Sequence, residues 1–224
     1  MTADITNSLI TLSNPRSPLA EAYRTLRTNL DFSSLDHPLT SMVVTSAGPE
    51  EGKSTTLANL AVTTAQSGRK VILVDCDLRR PRLHELFGLR NENGLTTMVV
   101  NEAAMKQPPL QETGVSGLQV LTSGPQPPNP AEILGSRRMA EVIELLTGQA
   151  DVVFFDTPPV IAVTDAAVLA SRVDGVLLVI SAGSTKRDYV RQAQTLLQKV
   201  NARVMGAVLT NVAFDASLHR YYTQ

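Results

Sequence analysis

Six short apolar runs recur along the chain, at 42–46, 71–75, 118–122, 152–156, 176–181 and 204–211. None alternates polar with apolar residues, so none reads as a strand with one wet face. Such runs suit strands buried on both sides. Between them lie stretches with helical spacing of apolar residues, at about 53–67, 136–147, 164–172 and 185–200. An earlier stretch, 19–32, repeats Leu19, Ala22, Tyr23, Leu26 and Leu30 at the same spacing. Strand and helix alternating in this way predict a three-layer α/β fold, a mostly parallel twisted sheet with helices on both faces. Right-handed crossovers then gather the loops that follow the strands at one edge, where ligands bind in such sheets.

The first of those loops reads "TSAGPEEGKSTT" over residues 45–56. It leaves a predicted strand and enters a predicted helix, the context a phosphate-binding loop requires. Main-chain N–H groups at the helix start and the helix dipole favour an anion there. The loop Gly48, Pro49, Glu50, Glu51, Gly52, Lys53, Ser54 and Thr55 is therefore the expected nucleotide cradle. Lys53 would reach the outer phosphates and the Ser54 hydroxyl would meet Mg²⁺. Ala47 stands where the strict pattern has its first glycine; the relaxed pattern, Ala or Gly, is met. An ordinary glycine turn with a solvated Lys53 is the bland alternative. Because the cradle is built of main-chain groups, Glu50 and Glu51 are expected to turn outward.

Two apolar runs end in aspartate. "VILVDCDLRRP" carries Asp75 and Asp77, and "VVFFDTPPV" carries Asp156. A carboxylate after four apolar residues sits at the carboxyl edge of its strand, facing the ligand crevice. Asp156 is the expected Mg²⁺ carboxylate. Asp75 and Asp77 have period-two spacing and are expected to project to one side. One would steady a metal-bound water and the other take a proton from an incoming hydroxyl. The alternative makes them loop caps. Cys76 between them points away as a buried thiol. Arg79, Arg80 and Arg82 follow, as solvated surface or as phosphate contacts.

The totals exclude several classes. At 224 residues the chain suits one large domain, and its net charge of −1 gives no bulk attraction to nucleic acid. Its one cysteine cannot form an intrachain disulfide or supply an iron–sulfur cluster, and fits a reducing cytoplasm. No apolar run approaches the ~18 residues of a spanning helix, so membrane recruitment is expected only through a partner. The organisation read from sequence is a flexible arm over 1–17, a catalytic domain over 18–214 and a tail over 215–224.

The phosphate loop, "VILVDCDLRRP" and "VVFFDTPPV", taken in order with "SPLAEAYRTLRTNL" (17–30), resemble the bacterial tyrosine kinases of capsular and exopolysaccharide synthesis. The three site motifs match that family's Walker A, Walker A′ and Walker B. The resemblance implies ATP and Mg²⁺ as cofactors. It implies catalytic roles for Lys53, Asp75 and Asp77, and metal binding by Ser54, Asp75 and Asp156. It also implies an adenine contact at Asn211 and phosphoacceptors at Tyr221 and Tyr222. Glu21, Arg24 and Arg27 match the family's E-x-x-R-x-x-R helix, which joins neighbours in a ring. Implied partners are further copies of the chain, a membrane activator of polysaccharide export and a cognate tyrosine phosphatase. Many members have glycine where Glu50 stands, and many end in a longer tyrosine cluster. The fold is shared with MinD/ParA-type switch ATPases, the second reading. Those place another lysine at the position held here by Gly48.

Overall fold

The protein is described by a computed structural model that covers residues 9–35 and 38–212. The apolar runs form six parallel strands, β1 (Ser41–Ser46), β2 (Val71–Asp75), β4 (Leu118–Leu121), β5 (Val152–Asp156), β6 (Gly175–Ser181) and β7 (Val204–Thr210). A two-residue strand, β3 (Gln111–Glu112), joins antiparallel, and the order is β3-β4-β2-β5-β1-β6-β7. The helices are α1 (Ile10–Ser13), α2 (Pro18–Ser33), α3 (Lys53–Gln66), α4 (Leu83–Phe87), α5 (Leu95–Val100), α6 (Glu102–Lys106), α7 (Pro130–Gly135), α8 (Arg137–Thr147), α9 (Asp165–Ala170) and α10 (Arg187–Lys199). The three-layer parallel α/β expectation is met.

Successive strand residues divide between two cores, as the pleat requires. Met42, Val44, Leu73 and Phe154 pack with Leu57, Leu60 and Ala61 of α3. Val43, Val74 and Phe155 pack on the other side with Val142 and Leu146 of α8, Leu169 of α9 and Leu197 of α10. β1 and β5 are buried along their whole length, which explains their unbroken apolar character. β7 departs from the expectation. Among the described residues it pairs only with β6, and Val204 and Leu209 are exposed. An edge strand has no neighbour on one side to exclude water, so an apolar run did not guarantee burial.

The amino-terminal arm also differs from its reading over residues 9–17. Leu9 and Thr11 are fully buried, and Thr11 bonds Asn59 of α3 through both its N–H (3.1 Å) and its hydroxyl (2.9 Å). The polar side chain of Asn59 inside α3 supplies the partner, so the start of this stretch packs while residues 13–16 are exposed. α2 follows, capped by Ser17 accepting the Ala20 N–H at 3.1 Å, with Pro18 at its first position.

Candidate active site

The phosphate loop is built from its two ends. β1 delivers a buried Ser46, and Gly52 caps α3 at φ +83°, a left-handed conformation that glycine adopts without strain. The first intrahelical bond of α3 is Thr56 N–H to the Gly52 carbonyl at 2.8 Å. The amides of Lys53, Ser54 and Thr55 therefore stand at the open helix end, the arrangement that suits an anion. Beside them lies a cleft of about 330 Å³, also lined by Asp77, Arg80, Arg82 and Pro159.

The two glutamates part ways. Glu50 is exposed, as expected, but sits at φ +59°. Glu51 does not turn outward. It is 5% exposed, and its carboxylate accepts the Ala47 N–H at 3.0 Å and the Thr185 hydroxyl at 2.6 Å. The outward expectation missed Thr185, which lies 134 residues away and supplies a donor.

The aspartates also divide. Register places Asp75 beside Asp156 on neighbouring strands. Asp77 lines the cleft and accepts from Lys53 Nζ at 2.9 Å. Asp75 does not share that side. One of its oxygens accepts the Asp77 N–H at 3.2 Å, and the other accepts those of Arg82 and Leu83 at 3.1 and 3.0 Å. The chain turns after β2, which ends the period-two geometry that would have aligned the pair. Asp75 in this structure shapes the turn that presents Asp77. Arg79 holds the same turn from outside through a two-pronged ion pair to the buried Asp165 of α9, at 2.9 and 3.1 Å. Nothing in the sequence motifs pointed to Asp165.

Lys53 is the cation of this acidic floor. Its Nζ lies 3.4 Å from Asp156 and 3.1 Å from Ser54 Oγ. Burial alone would lower its pKa, but the carboxylates of Asp156 and Asp77 outweigh burial and raise it. Burial pushes Asp156 up despite Lys53, and pushes Asp75 well up, with the neighbouring Asp156 charge adding to it. Cys76 is a buried thiol, as read from sequence, and burial beside these carboxylates raises it well above its usual value.

Asp156 Oδ2 is buried without a hydrogen-bond partner. An orphaned carboxylate oxygen, with the Ser54 hydroxyl gathered by the same Lys53 Nζ, is the donor set a hard divalent cation takes when phosphates and water complete its shell. Among the described residues no three carboxylate, imidazole or thiol groups converge as a metal site. The cation would therefore depend on the nucleotide for further oxygens.

Asn211 follows β7 at φ +53° and donates to Ser181 Oγ at 2.8 Å; it does not line the cleft. The predicted interface residues are engaged within the chain. Glu21 pairs with Arg24 at 2.8 Å, and Arg27 donates to the Thr63 carbonyl of α3 at 2.9 Å. Tyr221 and Tyr222 lie outside the described residues.

A phosphate loop between a central parallel strand and a helix, with acidic ends on two adjacent strands, defines a P-loop NTPase. Residues 40–219 match the ParA family model, described as NUBPL iron-transfer P-loop NTPase. The chain is 45% identical over 202 residues to the tyrosine-protein kinase YwqD of Bacillus subtilis, covering 90% of this chain and 85% of that one. It is 38% identical over 208 residues to the putative tyrosine-protein kinase CapB of Staphylococcus aureus, covering 93% and 91%. The kinase domain of the Escherichia coli tyrosine kinase ETK superposes with a TM-score of 0.88 at 35% identity, over 93% of this chain and 82% of that one. The chain belongs to the bacterial tyrosine kinases, a branch of the ParA-like P-loop NTPases.

Proposed function

We propose that the protein transfers the γ-phosphoryl group of Mg-ATP to tyrosines of its own C-terminal tail, Tyr221 and Tyr222, in a neighbouring copy. The observation that carries this reading is the Lys53–Asp77 pair in the cleft, a cation and a carboxylate 2.9 Å apart beside the phosphate loop. Incoming phosphates draw Lys53 away from Asp77, which frees the carboxylate as a proton acceptor. The tyrosine oxygen bonds to the γ-phosphorus, the bond from that phosphorus to the bridging oxygen breaks, ADP leaves, and the phenolic proton passes to Asp77. Ser54 and Asp156 would hold Mg²⁺, which when bound would supply positive charge against the phosphates. Glu21, Arg24 and Arg27 form the contact between copies. A membrane activator and the regulation of polysaccharide synthesis follow from the family resemblance. No helix among the described residues is long and apolar enough to cross a membrane.

The test is intact mass before and after incubation with Mg-ATP, with the sites then mapped. The reading expects phosphate on Tyr221 or Tyr222, and none on the Lys53→Met protein. Hydrolysis to water with an unmodified chain, even beside an activator fragment, would favour the second reading, a nucleotide-gated assembly switch.

A further inference from the structure

Glu51 is a carboxylate inside an anion-binding loop, and the transfer step gives it no part. Both of its oxygens are taken, by the Ala47 N–H and by the Thr185 hydroxyl. The 2.6 Å bond from Thr185 falls in the short range of hydroxyl–carboxylate bonds. Thr185 lies between β6 and α10, and its hydroxyl in turn accepts the Ser181 N–H at 3.0 Å. The main-chain carbonyl of Glu51 accepts from Thr210 Oγ1 at 2.8 Å, and Thr210 is the last residue of β7. Ala182 N–H donates to the Thr210 carbonyl at 2.8 Å, and Asn211 joins Ser181. The loop is thus bonded at two points to the carboxyl ends of β6 and β7. Gly48 makes room for this: a Cβ there would stand 3.1 Å from Glu51 Oε1.

A carboxylate this near the cradle repels phosphate unless donors hold it in place and offset its charge. We propose that Thr185 and Thr210 are positioning residues for the nucleotide. Thr185 holds the Glu51 side chain and Thr210 its main chain, so the amides at the start of α3 stay aimed into the cleft. The shape of the cradle then depends on the strand from which the terminal tyrosines continue. This inference rests on the nucleotide reading of the cleft, but not on where the phosphoryl group goes.

The test titrates Mg-ADP into the full chain and into the Thr185→Val, Thr185→Ser and Thr210→Val proteins. Valine keeps the shape of threonine and removes the donor; serine keeps the donor. Thr185→Val is expected to raise Kd about tenfold, the equivalent of about 1.4 kcal/mol. Thr185→Ser is expected to restore binding to near the parent value. Thr210→Val also weakens binding, and the double valine protein loses less than the product of the two, because both threonines hold one residue. In turnover the loss falls on KM for ATP more than on kcat. Melts without nucleotide check folding, and Thr210→Val carries the test if Thr185→Val does not fold. A lowered Tm with unchanged Kd overturns the proposal, as does failure of serine to restore binding. A parent chain that does not bind Mg-ADP overturns the nucleotide reading instead.

Discussion

Asp156 is fully buried, is paired with Lys53 on one oxygen, and has no partner on the other. Burial raises its pKa, and that of Asp75, so the folded chain binds these protons more tightly than the unfolded one. The linkage sign follows. The stability these groups contribute is full below the ordinary carboxylate range near about 4, and is lost as pH rises through the raised values. At pH above the raised values the ligand-free protein carries both charges at a cost. Asp156→Asn removes one and leaves Lys53 its 2.9 Å pair with Asp77. The expected outcome is a ligand-free Tm raised by a few °C near neutral pH, since about 1 kcal/mol moves Tm by ~2–4 °C at this size. The gain shrinks as the pH falls, and Mg²⁺-dependent nucleotide binding is lost. Melts across pH with and without Mg-ADP check this; a variant less stable at neutral pH contradicts it. Glu50 makes a similar case. Its φ of +59° costs a side-chain-bearing residue about 1–2 kcal/mol. Glu50→Gly relieves that strain, partly offset by the added freedom of glycine when unfolded. It also removes a negative charge from the rim of the cleft. The expected result is a modestly higher Tm with tighter ADP binding; a lower Tm would show that the loop bears no strain there.

At the scale of elements, the pieces carried by apolar runs or helical spacing were legible, and those of residues 78–117 were not. β2 and β5 fall where the apolar runs place them, and α3 and α10 where the helical spacing does. Each spans enough residues to show a period or an unbroken buried run. Residues 78–117 hold α4, α5 and α6, of five or six residues, and the two-residue β3. None contains two full turns or a strand alternation, so periodicity had nothing to register. The candidate site shows the same limit. The phosphate loop and the three aspartates announce themselves through local spacing. The partners that orient them, Thr185 for Glu51 and Asp165 for Arg79, come from distant loops and carry no local mark. The residues of the α2 motif are engaged within the chain in different ways. Arg27 is bound to the end of α3, whereas Glu21 and Arg24 bond on the surface to each other, and Arg24 also to the Pro15 carbonyl. The expected outcome of Arg27→Ala is a lowered Tm, through loss of the bond between helices. Glu21→Ala with Arg24→Ala is expected to leave Tm nearly unchanged and yield monomers. Light scattering beside calorimetry separates the two; oligomers that survive the double substitution would remove α2 from the contact between copies.

For the whole molecule the question is which copy receives the phosphoryl group. β7 ends on the same sheet edge as the phosphate loop, and Tyr221 lies ten residues beyond Asn211. Ten extended residues span at most ~33–36 Å, about the diameter of a folded domain, so length alone admits transfer within a chain or between chains. Thr210 Oγ1 bonds the Glu51 carbonyl, so the last strand ends beside the phosphate loop. The proposed function puts the acceptor tyrosines in a neighbouring copy. Mixing two inactive halves decides this. A Lys53→Met chain keeps its tyrosines but lacks the phosphate cation; a Tyr221→Phe, Tyr222→Phe chain keeps the cleft but lacks the acceptors. Transfer between copies predicts phosphate on the Lys53→Met chain in the mixture and on neither chain alone. It also predicts that Glu21→Ala with Arg24→Ala in both partners slows the reaction. Each phosphotyrosine then adds roughly −1.5 to −2 charges, set against the carboxylates of Glu51, Asp77 and Asp156. Like charges repel the tail from the cleft, so the assembled mass measured by light scattering should fall as phosphorylation proceeds. It should stay constant when the acceptors are phenylalanine. Phosphate confined to chains that carry both an intact cleft and their own tyrosines would assign the transfer to a single copy.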